Sequence, residues 1–113
     1  MKTEYILCAA IWYKDLPLKN PDVLANRGYR PYNVDRGVVL CGWRHGNCIY
    51  QKVAITGLRD AESGESIQGF LTNTNRFVDR KEAFKIAAAA NQIVGPNKGQ
   101  NENSIGLTSE DLY

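Results

Sequence analysis

The chain first shows its organisation in residues 4–13. Tyr5, Leu7, Ala9, Ile11 and Tyr13 fall on one face of an extended segment, and Ile6, Cys8, Ala10 and Trp12 on the other. Both faces are mainly apolar, the pattern of a central strand covered on two sides. A second buried strand is expected at Gly37–Trp43, which is almost continuously apolar. Between them, residues 14–36 carry Pro17, Pro21 and Pro31 with Asn20, Asn26 and Asn33, and no period survives. That predicts an irregular loop, unusually long for a small domain and of a kind that often carries function.

The segment from His45 to Ile55 fits two patterns. As a strand, Ile49, Val53 and Ile55 share a face with Gln51. As a helix, Cys48, Ile49, Lys52 and Val53 form a stripe and Gly57 supplies the stop. The helix is the better fit. Ile67–Leu71 reads as a short strand, and Phe77-Val78 as its continuation after the bend Thr72-Asn73-Thr74-Asn75. A strong helix follows: Asp79 stands at the N-cap, Glu82 three residues on, and Ala83, Phe84, Ile86 and four alanines drive it. It is expected to run from Arg80 to about Val94, where Gly95-Pro96 ends it. Residues 96–106 are polar and flexible in character. The tail ending in Leu112-Tyr113 is expected to dock. The fold class is therefore α+β, a small antiparallel sheet packed against two helices, in one domain spanning 1–113.

Length supports one core without staples, since 113 residues is an ordinary domain size. A formal charge of +2 is too small to make polymeric nucleic acid the main partner. It leaves room for a small anion, which needs only a few placed cations. No apolar run reaches the roughly 18–20 residues of a membrane span, so no membrane partner is expected. The apolar stretch after Lys2 lacks a leucine-rich centre and runs into Lys14-Asp15, so it reads as a strand and not as a signal peptide.

Candidate chemistry falls into three classes. Cys41-x3-His45-x2-Cys48, with Cys8 nearby, nominally offers zinc ligands, but the spacing is irregular and lacks the paired knuckles of structural zinc. The three cysteines are expected to be reduced core thiols, with no metal and no cofactor. For catalysis, the chain has one histidine, no nucleophile elbow, no P-loop and no deaminase signature. Glu82 is followed by alanines, so the clustered glutamates that hold magnesium in pyrophosphohydrolases are missing. A Cys48–His45 thiolate pair is outweighed by a core cysteine beside a helix-cap histidine. No catalytic residue is expected.

Ligand binding is the third class. Arg44-His45 leaves a buried strand directly, where ligands dock in layered folds. Arg76 and Arg80 flank Phe77 at the start of the strong helix, where free N–H groups and two guanidiniums suit a phosphate. Phe77, Trp12, Trp43 and Tyr13 offer stacking faces, and Asn73, Asn75 and Asn91 offer amides for a base edge. The alternative is that Arg76 and Arg80 pair with Asp79 and Glu82 as a solvated face while Phe77 is core.

Several segments resemble a family. They are Cys41-Gly42-Trp43-Arg44-His45 with Cys48-Ile49, Gln68-Gly69-Phe70-Leu71-Thr72, Asn75-Arg76-Phe77-Val78-Asp79-Arg80-Lys81-Glu82-Ala83, Ile86-Ala87, Asn91-Gln92-Ile93 and Ser109-Glu110-Asp111-Leu112-Tyr113. Together they cover residues 37–94 and the last five, and resemble the first family of phage-encoded Thoeris anti-defence proteins. That resemblance implies a sponge in the cytoplasm of an infected bacterium. Such a protein sequesters a cyclic ADP-ribose isomer, and in some members cyclic oligonucleotides, without cleaving it. It also implies a homo-oligomer with pockets between protomers. Arg44, His45, Arg76, Phe77 and Arg80 stand on matching motif positions, with Asn91 a looser transfer; together with Asn75, offered for its amide, they are the expected ligand residues. Residues 14–36 match nothing in that pattern. Two other classes compete: a nucleotide phosphohydrolase-like enzyme, and an anti-defence or regulatory factor that binds another protein.

Overall fold

The computed structural model describes residues 3–17, 30–59, 62–94 and 106–112. Strands β1 (Ile6–Tyr13), β2 (Val38–Gly42), β3 (Ser66–Thr72) and β4 (Phe77–Asp79) form one sheet in the order β2-β1-β3-β4, with every pairing antiparallel. Helix α1 (His45–Thr56) joins β2 to β3, and α2 (Arg80–Ala89) continues directly from β4. A short 3-10 turn, Ser109–Asp111, closes the described chain. The fold is thus α+β, an antiparallel sheet with two helices. Much of the 14–36 stretch expected to be an irregular loop, and of the 96–106 stretch expected to be flexible, lies outside the described residues. Among the described residues no helix is long and apolar enough to cross a membrane.

Strand β1 lies between β2 and β3, and this explains its two apolar faces. Ala9, Ile11 and Tyr13 turn toward the helices. Ala9 joins Phe70, Val78, Phe84 and Ala87 under α2, while Ile11 and Tyr13 join Cys48 and Leu16 near α1. Ala10 and Trp12 face the other side, with Val39, Phe77 and Val34. The alternation breaks at Leu7, where the β1–β3 register shifts between Ile6 and Cys8. One extra residue moves every earlier side chain to the opposite face. Ile6 therefore joins Ala9 in the core under α2, and Leu7 is half exposed, the reverse of simple alternation.

Residues 30–36, expected to be part of a loop, serve as a cover. Val34 packs on the sheet face that the helices leave open. Asn33 brackets Phe77 on the edge strand: Nδ2 donates to its carbonyl at 2.7 Å, and its N–H donates to Oδ1 at 2.8 Å. These bonds satisfy an edge that would otherwise be open.

Both helices keep their expected starts, and only α1 keeps its expected stop. Gly57 takes φ +72° and its N–H bonds the Val53 carbonyl, a left-handed cap that suits glycine. The stripe expected on α1 holds for Cys48 and Lys52, which are buried, but Val53 is exposed. Helix α2 ends at Ala89 and not near Val94. Asn91 turns to φ +59°, and Gln92 clamps the backbone of Ile6, with Oε1 accepting at 2.8 Å and Nε2 donating at 2.9 Å. These two side-chain bonds hold the segment against β1, and no sequence period signals them.

At the base of the sheet, Glu4 gathers four bonds. Arg76 donates to it twice, at 3.0 and 2.7 Å, and the Thr72 and Thr74 hydroxyls each donate at 2.7 Å. The Arg76 guanidinium, with the threonine hydroxyls, holds the carboxyl at about 2, against the partial burial that opposes it. A depressed carboxylate stabilises the fold above its unfolded value near 4.5, and this contribution disappears as pH falls through about 2. Glu4→Gln is expected to cost about 1–3 kcal/mol at neutral pH and to flatten the acid limb of the stability curve, as read by denaturant melts from neutral to acidic pH. Asp79 Oδ1 accepts from the Glu82 N–H at 2.8 Å, so Asp79→Ala is expected to cost about 1 kcal/mol and Asp79→Asn less. Equal melting temperatures for both variants and the parent would show that the cap contributes nothing.

Candidate functional site

A cavity of about 400 Å³ opens where the start of α1, the start of α2 and the C-terminal segment meet. Its walls are Arg44, His45, Gly46, Arg80, Thr108, Ser109 and Glu110. Each wall has a local cause. Strand β2 ends at Gly42, and Arg44 occupies the N-cap of α1 with extended backbone. Asn47 Oδ1 accepts from the Arg44 N–H at 2.8 Å, which fixes the turn. Arg80 is the first residue of α2. The tail reaches it because Gly106, at φ +77°, brings its backbone against Arg80, where a Cβ would come within 2.5 Å of the carbonyl carbon.

The tail is held along α2 at both ends. The Leu107 N–H donates to the Arg80 carbonyl at 2.8 Å, and the Val94 N–H donates to the Asp111 carbonyl at 2.7 Å. Leu107 is fully buried in the core under α2. Asp111 Oδ2 accepts from the Thr108 N–H at 2.9 Å and the Thr108 hydroxyl at 3.1 Å, so the turn is rigid.

The two guanidiniums of the pocket have different surroundings. Arg44 lies 4.5 Å from the centre of the exposed Trp43 ring. Its Nη1 donates to Glu110 Oε2 at 3.2 Å and to Ser109 Oγ at 3.3 Å. Arg80 is half-buried and bonded to neutral oxygens, the Leu107 carbonyl at 2.9 Å and Gln68 Oε1 at 2.5 Å. Among the described residues no carboxylate lies within ion-pair distance of it. Burial pulls its proton affinity below the ordinary value, and the more distant Glu110 charge offsets part of this. Two cations thus face the cavity against one carboxylate.

His45 forms the floor. Its ring is nearly perpendicular to Phe70, with centroids 5.1 Å apart, and Nε2 lies 2.8 Å from the Gly69 carbonyl oxygen. Burial is the main cause that lowers its proton affinity, and the Arg80 charge adds to it. The Gly69 bond and Glu110 work in the opposite direction.

The sequence-derived ligand residues divide. Arg44, His45 and Arg80 converge on the cavity. Phe77 lies on the opposite sheet face, edge-on to Trp12 at 6.0 Å, because alternation sends Val78 toward the helices and Phe77 away. Arg76 is occupied by Glu4. Asn75, at φ +60°, makes the β3–β4 turn, and Asn91 makes the left-handed turn after α2. Neither of these two lines the cavity. Thr108, Ser109, Glu110 and Gln68 were not singled out as ligand-site residues by the sequence. Only the expectation of a docked tail pointed to three of them.

The cysteines do not form one cluster: Cys8 and Cys41 are hydrogen-bonding neighbours, whereas Cys48 Sγ donates to the Ala9 and Arg44 carbonyls. Cys41 packs with the outer-face cluster and Cys48 with the core near α1, so the sheet separates them. Cys48 is fully buried, while Cys8 and Cys41 are only partly so. A larger cavity of about 690 Å³ lies at the other end of α1, walled by Leu16, Pro17, Val38, Leu40, Ile55 and Leu58 with Lys52 and Thr56. Lys52 Nζ is held there by Ser63 Oγ at 2.8 Å.

These features define a small α+β protein with a cationic pocket between two helix starts and a docked tail. Residues 5–113 match the model of the phage T4 y16D protein family, and the chain belongs to that family. No curated protein and no solved structure matches the chain.

Arg80 joins α2 to β3 and to the tail, so Arg80→Ala is expected to destabilise by about 1–3 kcal/mol. The loss should appear as a lower melting temperature and faster amide exchange at Leu107. An unchanged exchange rate there would show that the tail docks without Arg80.

Proposed function

We propose that this phage protein binds a cyclic nucleotide immune signal and sequesters it without cleavage, as an anti-defence sponge in the cytoplasm of an infected bacterium. The observation that carries the reading is Arg80. A half-buried guanidinium with only neutral partners is costly unless an anion completes it. It shares its cavity with Arg44, and two guanidiniums suit a pyrophosphate or a cyclic phosphodiester. The cavity volume falls in the range of small-molecule sites, roughly 300–1,000 Å³. Trp43, 62 % exposed, stands beside the cavity with the Arg44 guanidinium over its ring, so a base stacking near Arg44 would meet an aromatic neighbour there, whereas Phe77 lies on the opposite sheet face. The resemblance of the Trp43-Arg44-His45, Asp79-Arg80 and Ser109–Tyr113 segments to Thoeris anti-defence proteins supports the same ligand class, a cyclic ADP-ribose isomer.

Sequestration without turnover is supported by the way the polar groups are engaged. Ser109 Oγ, the hydroxyl nearest the two guanidiniums, lies 3.2 Å from a carboxylate oxygen whose charge Arg44 already offsets, so it has no strong base beside it. The protein is further proposed to act as a homo-oligomer. The outward side of α1 carries exposed Tyr50 and Val53, and the helix's one charged residue, Lys52, is buried. Such a side suits a partner better than water.

Calorimetry with cyclic ADP-ribose isomers and cyclic dinucleotides is expected to find a tight ligand. Arg44→Ala should weaken it about ten- to a hundred-fold, with a small change in melting temperature because its ion pair is partly exposed. Mass spectrometry of heat-released ligand should return it intact. Absence of binding to all of these nucleotides overturns the sponge reading. A cleaved product makes the protein an enzyme, and a stable complex with a host protein alone favours the protein-binding class.

A further inference from the structure

The Gly69 carbonyl fixes more than the position of His45. A carbonyl oxygen only accepts, so the bond at 2.8 Å requires the proton on Nε2. In a neutral imidazole the lone pair then sits on Nδ1. A flipped ring would set a carbon against the carbonyl, so this tautomer is locked by the fold. Among the described residues the His45 ring makes no other hydrogen bond, and no buried side-chain nitrogen or oxygen lacks a partner. Nδ1 is therefore not sealed off from solvent, and His45 lines the cationic cavity.

The other polar groups of that cavity are committed differently. The Arg44 and Arg80 guanidiniums can only donate. The Thr108 hydroxyl is held by Asp111, and the Ser109 hydroxyl lies against Glu110. Glu110 accepts, but it is charged and paired with Arg44. Nδ1 is a neutral acceptor beside two cations and, unlike the two hydroxyls, it has no bond of its own among the described residues.

We infer that His45 is a specificity residue. It makes the pocket select anions that carry a hydroxyl close to the charge, as a ribose phosphate does, over anions that lack one. The inference rests on reading the cavity as an anion site. A ligand without the donor would bury Nδ1 unbonded, and sites built to bond a hydroxyl discriminate strongly against analogues that lack it.

The test compares ADP with 2′,3′-dideoxy-ADP by calorimetry at neutral pH. The wild-type protein should favour ADP by about ten-fold. In His45→Phe the ratio should fall to near one through loss of ADP affinity alone. His45→Asn, whose amide oxygen can stand where Nδ1 stood, should recover part of it. The chain has a single histidine, so long-range proton–nitrogen NMR reports it without ambiguity even if the variants fail to fold. The spectrum should show Nε2 protonated, and an Nδ1 resonance that moves with ADP much more than with the dideoxy analogue. Equal wild-type affinities for the two nucleotides, or a ring protonated on Nδ1, overturn the inference and leave the anion site standing. Binding of cyclic ADP-ribose with no binding of ADP overturns the inference and leaves the sponge reading intact. Failure of every nucleotide overturns both.

Discussion

The Arg80 guanidinium is the point at which the sheet, the second helix and the C-terminal segment meet. One of its nitrogens bonds Gln68 on β3, another bonds the Leu107 carbonyl, and its own carbonyl accepts the Leu107 N–H. Leu107 then completes the apolar core beneath α2. A tail segment has little reason to order by itself, because fixing each residue costs backbone entropy. Here that cost is offset by one fully buried leucine and a reciprocal pair of bonds to a single arginine.

The same arginine gives the pocket its character. The fold supplies Arg80 with hydrogen-bond acceptors but not with a counter-charge, while Arg44, on the other side of the cavity, has Glu110. Such an arrangement leaves an electrostatic demand at a defined place. Neutral His45, pinned by Gly69, adds an acceptor without cancelling the charge. Glu110 lines the same cavity and pairs with Arg44, so the internal carboxylate offsets one of the two positive charges there.

Arg76 and Arg80 show how residues of one type, four positions apart, separate in function. In the sequence they flank Phe77 and look equivalent. In the structure Arg76 precedes β4 and meets Glu4, whereas Arg80 follows it and faces the helix side. Three residues of strand lie between them, and Phe77 turns away from the helices because side chains alternate along a strand. The interleaved arginines and phenylalanine are legible in the sequence, but they do not form one site.

The sequence by itself determined the four strands, the capped second helix, the glycine stop of the first, and Arg44-His45 at a strand exit. Each of these depends on neighbours within a few residues: a period, a cap or a chain breaker. Only the tertiary structure decided the rest. The bulge at Leu7 reverses the faces of β1 because β3 sets the register. Gln92 ends α2 early because it finds the backbone of Ile6, 86 positions away. Thr108, Ser109 and Glu110 become pocket walls because the tail folds back on Arg80, and Lys52 is buried because Ser63 and the ring of Tyr13 receive its ammonium. Contacts between residues distant in the chain leave no local periodic signal, so packing alone could select them.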